Sequence, residues 1–232
     1  IPGGPMDSGR YKGEDVVTTT LDGECWAYGI NNPRISTEEL QILEDSVCPG
    51  AGSCALLGTA NTMQCLSEAL GLALPGSGTA LAVSAKRLWI AKQSGQQIIR
   101  LVEKGITSSK IMTKENLKNA IHVLHAIGGS TNAVIHILAI AYEMGFENEI
   151  NLELFERFGQ ETPCIAAVLP SGPYTMADFD EAGGIQVVMK RIEKLLNKEV
   201  MTVTGETLGT LLNKVPIIDS PVIRGLDNPV NK

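Results

Sequence analysis

One stretch constrains the fold more than any other: Cys48-Pro-Gly-Ala-Gly-Ser-Cys54-Ala-Leu-Leu-Gly-Thr-Ala-Asn-Thr-Met63, continuing to Ser67-Glu-Ala-Leu-Gly71. It reads as a tight glycine loop that opens a helix. Gly50 and Gly52 supply backbone freedom that other residues lack. Ser53 is placed as the N-cap, and Gly71 suits the position just past the helix end. Leu56, Ala60, Met63, Leu66 and Leu70 recur at helical spacing and mark the expected buried face. On this reading Cys54 lies in the first helical turn, where partial positive charge favours a thiolate. Such a thiolate suits a metal ligand or a nucleophile. A small thiol that only fills space fits the same residues.

Before this stretch, residues 1–35 are rich in glycine and read as irregular, with Cys25 a packing residue beside Trp26. Gly9-Arg-Tyr-Lys-Gly13 sets two cations among glycines, either to meet an anionic substrate or as a solvated loop. Ser36-Thr-Glu-Glu39 is a capping-box-like start for a helix through Asp45. After the stretch, a second glycine turn, Leu74-Pro-Gly-Ser-Gly-Thr79, leads into a helix over 80–92. Ser94-Gly95 is expected to break it, with 96–104 forming a further turn or two. Thr113 caps a helix in which Leu117, Ala120, Ile121, Leu124 and Ile127 hold helical spacing. Gly128-Gly-Ser-Thr-Asn132 separates it from another apolar helix. Ser130, Thr131 and Asn132 are all good cap residues, and free backbone N–H groups there can hold a carboxylate or phosphate. A plain helix–Gly-Gly–helix connection explains the same residues. His122, His125 and His136 lie on apolar helical faces and are expected as hydrogen-bonded core residues; no HExxH-type carboxylate accompanies His122 and His125, so no zinc site is expected there.

Asn151 starts a short helix over 152–158. Pro163 to Pro170 is a continuous apolar run between prolines and fits a buried strand of a parallel sheet. A helix over 176–182 ends at Gly183-Gly184, and 185–196 is amphipathic. Residues 200–203 read as a short strand, and Thr204 as the cap of a helix that turns Leu208, Leu211 and Leu212 inward. The tail from Val215 has three prolines and no sustained period, so it reads as a linker. Helices with a few short apolar strands between them predict an α/β fold with a mostly parallel sheet.

With 232 residues, 44% of them hydrophobic, the chain can bury a sizeable core. A net charge of −7 and 4% aromatic residues argue against a nucleic-acid binder. No apolar run is long enough to span a bilayer. Five cysteines without a framework spacing suggest a reducing compartment. The first residue, Ile1, is not a start methionine and stands mid-motif, so an internal segment of a longer product is expected.

The run CPGAGSCALLGTANTMQCLSEALGLALPGSGT resembles the iron–sulfur motif of the dihydroxy-acid, 6-phosphogluconate and sugar-acid dehydratase family. Gly3-Gly-Pro-Met6, Gly128-Gly-Ser-Thr-Asn132, Asp178-Phe-Asp-Glu-Ala-Gly-Gly184 and Val222-Ile-Arg-Gly-Leu-Asp-Asn-Pro229 match in the same order, so the likeness covers essentially the whole chain. It implies a layered α/β/α first domain over 1–214, its start missing, with 215–232 leading toward a β-rich second domain that is absent. It implies that Cys54 is a ligand of an iron–sulfur cluster, [2Fe–2S] or [4Fe–4S], and that Cys48 is not. The other two cluster cysteines and the magnesium ligands would precede Ile1, and a serine base would belong to the second domain. No catalytic residue is therefore expected within this chain, which alone should be inactive. Ser130, Thr131 and Asn132 are the candidate substrate contacts.

The implied activity is conversion of a 2,3-dihydroxy or sugar acid to a 2-keto acid with loss of water. Hydroxide is a poor leaving group, so a Lewis acid suits the reaction, and Mg2+ suits the charge that develops beside the carboxylate. The implied setting is a cytoplasmic or organellar-matrix homodimer with a small hydroxy-acid substrate and neither nucleic acid nor membrane as partner. Two other readings fit the residues without the resemblance. One is an enzyme with Cys54 as nucleophile and a histidine as base. The other is a non-catalytic α/β interaction domain.

Overall fold

The structure, a computed structural model, describes residues 1–231. Strands β1 (Gly9–Tyr11) and β2 (Glu14–Val16) form an antiparallel hairpin. Lys12 and Gly13 turn it with positive φ, the hand that matches strand twist. The two cations of this segment are already engaged: Arg10 pairs with Asp15, and Lys12 with Glu39. Helix α1 (Thr18–Gly29) follows where irregular chain was expected. Its threonine-rich start is held by a side chain: Thr20 Oγ1 accepts the Val17 N–H at 3.2 Å. Helix α2 (Thr37–Ser46) begins as expected, with Ser36 and Glu39 each accepting the other's backbone N–H at 3.1 Å.

Helix α3 (Thr59–Ala69) starts well after Ser53 and is followed, past its Leu70 cap, by Gly71, whose φ of 74° is left-handed. Helix α4 (Ala85–Glu103) is capped by Ser84 and runs unbroken through Ser94-Gly95. A Cβ at Gly95 would meet nothing, and one exposed glycine costs a helix only about 1 kcal/mol. The short α5 (Ser108–Ile111) precedes α6 (Lys114–Ala126), where Thr113 caps as expected. Then come α7 (Asn132–Glu143) and α8 (Leu152–Glu161), the latter capped by Asn151. Helices α9 (Met176–Glu181) and α10 (Gly184–Arg191) flank Gly183, and α11 (Leu208–Leu212) is capped by Thr207, not Thr204.

Helix α6 is the centre of the core. It packs against α3, α7, α8 and α10. Leu117, Ala120, Ile121, Val123, Ala126 and Ile127 are fully buried there. Full burial of each Leu or Ile stabilises by roughly 1.5–3 kcal/mol. Among the described residues no parallel sheet forms; the one sheet is the antiparallel hairpin. The apolar run expected as a parallel strand is extended and buried, with Ile165 to Val168 wholly out of solvent. Its partner is the tail, which runs antiparallel to it. Cys164 bridges Asn231 and Ala166 bridges Ile223. Ala167 N–H donates to Val222 O and Arg224 N–H to Ile165 O, both at 2.8 Å. The prolines that read as linker therefore frame a returning segment. Residues 200–203 make only a single bridge, Met201 to Thr207. Among the described residues no helix is long and apolar enough to cross a membrane.

Candidate functional site

Cys54 is exposed, at the tip of the glycine loop. It does not stand in the first turn of α3. Gly52, at φ 137°, lies against residues 5 and 6, where a Cβ would run into Met6 N. This close approach lets Ser53 pair in parallel with Pro5. Ser53 N–H donates to Gly4 O at 3.1 Å, and Met6 N–H donates to Ser53 O at 2.7 Å. Beyond Cys54 the chain dives inward. Ala55, Leu56 and Leu57 are buried, while Met176 N–H donates to Ala55 O and Leu57 N–H to Leu169 O. These nonlocal contacts consume the stretch that spacing alone assigns to a helix.

The first turn of α3 then supports the loop with polar side chains. Asn61 is 1% exposed. Its amide donates to Cys54 O at 2.5 Å and Leu56 O at 2.6 Å. Its Oδ1 accepts from Ser53 Oγ at 2.6 Å and from Gln64 Nε2 at 2.8 Å. Gln64 Oε1 accepts the Gly4 N–H. The buried face of α3 is accordingly rotated from the expected one: Asn61, Thr62, Cys65, Leu66 and Ala69 point inward, and Ala60 is exposed.

Ser130, Thr131 and Asn132 stand at the start of α7, close to the start of α3. Thr59 Oγ1 lies 3.2 Å from Ser130 Oγ and accepts from Asn132 Nδ2 at 2.7 Å. Thr62 Oγ1 accepts the Ser130 N–H at 3.0 Å. Thr131 makes no side-chain cap bond, and Thr131 and Asn132 are exposed. Two helix N-termini, each partially positive, are thus tied together beside the Cys54 loop.

A second polar group backs this arrangement. Glu68 is buried, and its carboxylate accepts from Gly76 N–H at 2.9 Å, Gly78 N–H at 2.8 Å and Gln186 Nε2 at 2.6 Å. Burial raises its pKa. Arg87, also buried, donates to Pro2 O and Ser77 O at 2.9 Å each, and to Ala80 O. Neither residue stands out in the sequence. The available signal is the polar stripe Asn61, Gln64, Glu68 at i, i+3, i+7 along this helix.

The remaining cysteines do not converge on Cys54. Burial pushes the Cys65 thiol up, helped by Glu68 and Asp180, and burial likewise raises Cys164. Among the described residues no three His, Cys, Asp or Glu side chains gather as a metal site. Cys25 and Cys48 are exposed as well, but no such cluster forms around them among the described residues, and an exposed thiol on a fixed loop such as Cys54 fits one ligand of an iron–sulfur cluster. The histidines of α6 belong to its packing on α8. His122 lies 2.7 Å from Thr162 Oγ1 and stacks on Phe158, and burial holds its pKa down to about 4. His125 lies under Gly159.

A sequence profile described as dihydroxy-acid/6-phosphogluconate dehydratase N-terminal matches residues 1–211. The chain is 50% identical over 235 residues to a dihydroxy-acid dehydratase of Methanothrix thermoacetophila. It is 47% identical over 231 residues to one of Ignicoccus hospitalis, and 44% over 231 residues to one of Pyrococcus abyssi. The alignments cover 99 or 100% of this chain and 41% of each relative. The chain thus spans about two-fifths of the length of the curated relatives it matches.

Proposed function

This chain belongs to the dihydroxy-acid/6-phosphogluconate dehydratase family, and we propose that it is the part of a longer hydro-lyase that brings Cys54 to an iron–sulfur cluster. The observation that carries this reading is an exposed thiol on a loop whose backbone is held on both sides, within the profile-matched segment. The relatives are named dihydroxy-acid dehydratases, and the substrate in this proposal is a 2,3-dihydroxy carboxylic acid, converted to the 2-keto acid with loss of water. When bound, the cluster and Mg2+ supply Lewis acids for the departing hydroxyl and for the charge developing beside the carboxylate.

This chain's own residues hold and orient. Cys54 supplies one thiolate ligand, and the remaining ligands come from elsewhere in the longer protein. Asn61 fixes the carbonyls of Cys54 and Leu56, so the thiol points from a preset backbone. The joined N-termini of α3 and α7, with Ser130, Thr131 and Asn132 at their surface, favour a carboxylate and would orient the substrate there. Residues 1–214 form the first domain in this proposal, and 215–232 lead toward a second. Alone, the chain is inactive. The longer protein is a homodimer of the cytoplasm or an organellar matrix.

The test is iron and acid-labile sulfide in the intact, anaerobically purified protein, wild type beside Cys54→Ser. The reading expects both in the wild type, with their loss from the variant together with dehydratase activity. A wild type that holds neither after anaerobic reconstitution overturns it.

A further inference from the structure

Arg87 is a costly residue to bury. It is 6% exposed, and it donates to three backbone carbonyls: Pro2 O, Ser77 O and Ala80 O. Among the described residues its buried Nε finds no hydrogen-bond partner. Neutral acceptors return only part of the solvation that a guanidinium gives up. A plain packing role in α4 would be filled better by an apolar side chain. What the planar fork does here is join the segment 2–6 to the continuous glycine turn 74–80.

The route from this fork to Cys54 is short and continuous. Gly4 lies directly on Arg87; its φ is 95°, and a Cβ there would strike both Arg87 Nη2 and Ala80 O. Ala82 N–H donates to Pro5 O at 2.8 Å, closing the segment onto the same turn. On its other side the segment receives Ser53: Ser53 N–H donates to Gly4 O, and Met6 N–H to Ser53 O. Glu68 clamps the glycine turn from below through Gly76 and Gly78. Residues 2–6 are thus held between the Arg87 fork and the backbone of Ser53-Cys54.

We infer that Arg87 is a positioning residue for the Cys54 thiol: through Pro2, Gly4 and Ala80 it sets where the loop presents its sulfur. The inference rests on the proposed role of Cys54, but its readout does not require a cluster. Arg87 bonds to Pro2, Ser77 and Ala80, not to Cys54 itself. It acts through the segment it pins.

The experiment uses the intact protein with cluster removed, and follows alkylation of Cys54 by iodoacetamide as a function of pH, quantified by peptide mass spectrometry. Arg87→Gln removes the charged fork, Arg87→Lys keeps the charge without the fork, and Lys92→Ala on the exposed side of α4 is the control. Supporting partners of a metal ligand commonly matter by about tenfold, so Arg87→Gln should change the alkylation rate by about that factor. Arg87→Lys should fall between it and the wild type, and Lys92→Ala should match the wild type. If Arg87→Gln does not fold, Arg87→Lys decides alone. Where iron is bound, the variants should also shift the low-temperature EPR signal of the reduced protein. Alkylation profiles in folded Arg87 variants that overlay the wild type overturn the inference. Iron retained in full by Cys54→Ser overturns the cluster reading instead and leaves the alkylation result standing, so the two failures are distinguishable.

Discussion

Helix α6 and the loop 53–58 are both fixed in place, by opposite means. Leu117, Ala120, Ile121 and Ile127 hold α6 by filling space against α3, α7, α8 and α10. The loop is held by directional bonds from Asn61, Gln64 and the backbone of residues 4–6, with its key side chain left in solvent. Packing tolerates small shifts, because dispersion and apolar burial have no preferred direction. Hydrogen bonds fix a vector. The difference teaches that stability and the placement of the thiol are largely separable in this molecule. Changes to α6 should lower the first and spare the second.

The largest expected effect is in the helix. Leu117→Ala should lower unfolding free energy by about 3 kcal/mol in urea titration, and Cys54 in the folded fraction should alkylate at the wild-type rate. An altered rate would break the separation. Asn61→Ala tests the other side. It removes the amide shared by the Ser53 hydroxyl and the Cys54 and Leu56 carbonyls, at about 2 kcal/mol, and it should speed Cys54 alkylation several-fold where Leu117→Ala does not.

A third change acts on the acid limb of the stability curve. Folded His122 takes its proton near pH 4, whereas the unfolded chain takes it near 6.5. Between these values the unfolded state binds more protons, so stability is complete above about pH 6.5 and falls as pH drops toward 4. His122→Phe should flatten this limb of the stability curve, again without moving Cys54 reactivity. The smallest effect belongs to the exposed face of α6. Lys118 and Glu115 pair at 2.8 Å one turn apart, and Glu115→Gln should cost less than about 0.5 kcal/mol, fading with added salt.

The same division decides what the sequence discloses. Helix α6 is legible because its period and its Thr113 cap are local. So are α2 and α8, whose caps, Ser36 and Asn151, lie within three residues of their partners. Helix α1 is not, because threonines and glycines leave it almost no apolar stripe, and only Ala27 is buried. The break expected at Ser94-Gly95 fails because Gly95 faces open space and the helix has no reason to stop there. At the site, Cys54 is visible from its motif. Its setting is not, because the bonds that place it join residues such as Gly4 to Gln64 and Arg87 to Pro2, far apart in the chain. Leu56 misleads for the same reason: it is apolar and buried, but in a cluster with Val17, Ala55, Met6 and Leu169 rather than on a helix face.

The return of the tail onto the buried run has a practical consequence for anyone who shortens this protein. A cut after residue 214 falls at a natural gap in periodicity. It would nonetheless strip Ala167 N–H and Ile165 O of the backbone partners that Val222 and Arg224 provide, and uncover Ile165 to Val168. Such a segment, apolar and with unpaired backbone on one side, is a template for other chains to join. The shortened polypeptide should self-associate, while one extending through Asn231 keeps that edge closed by its own end.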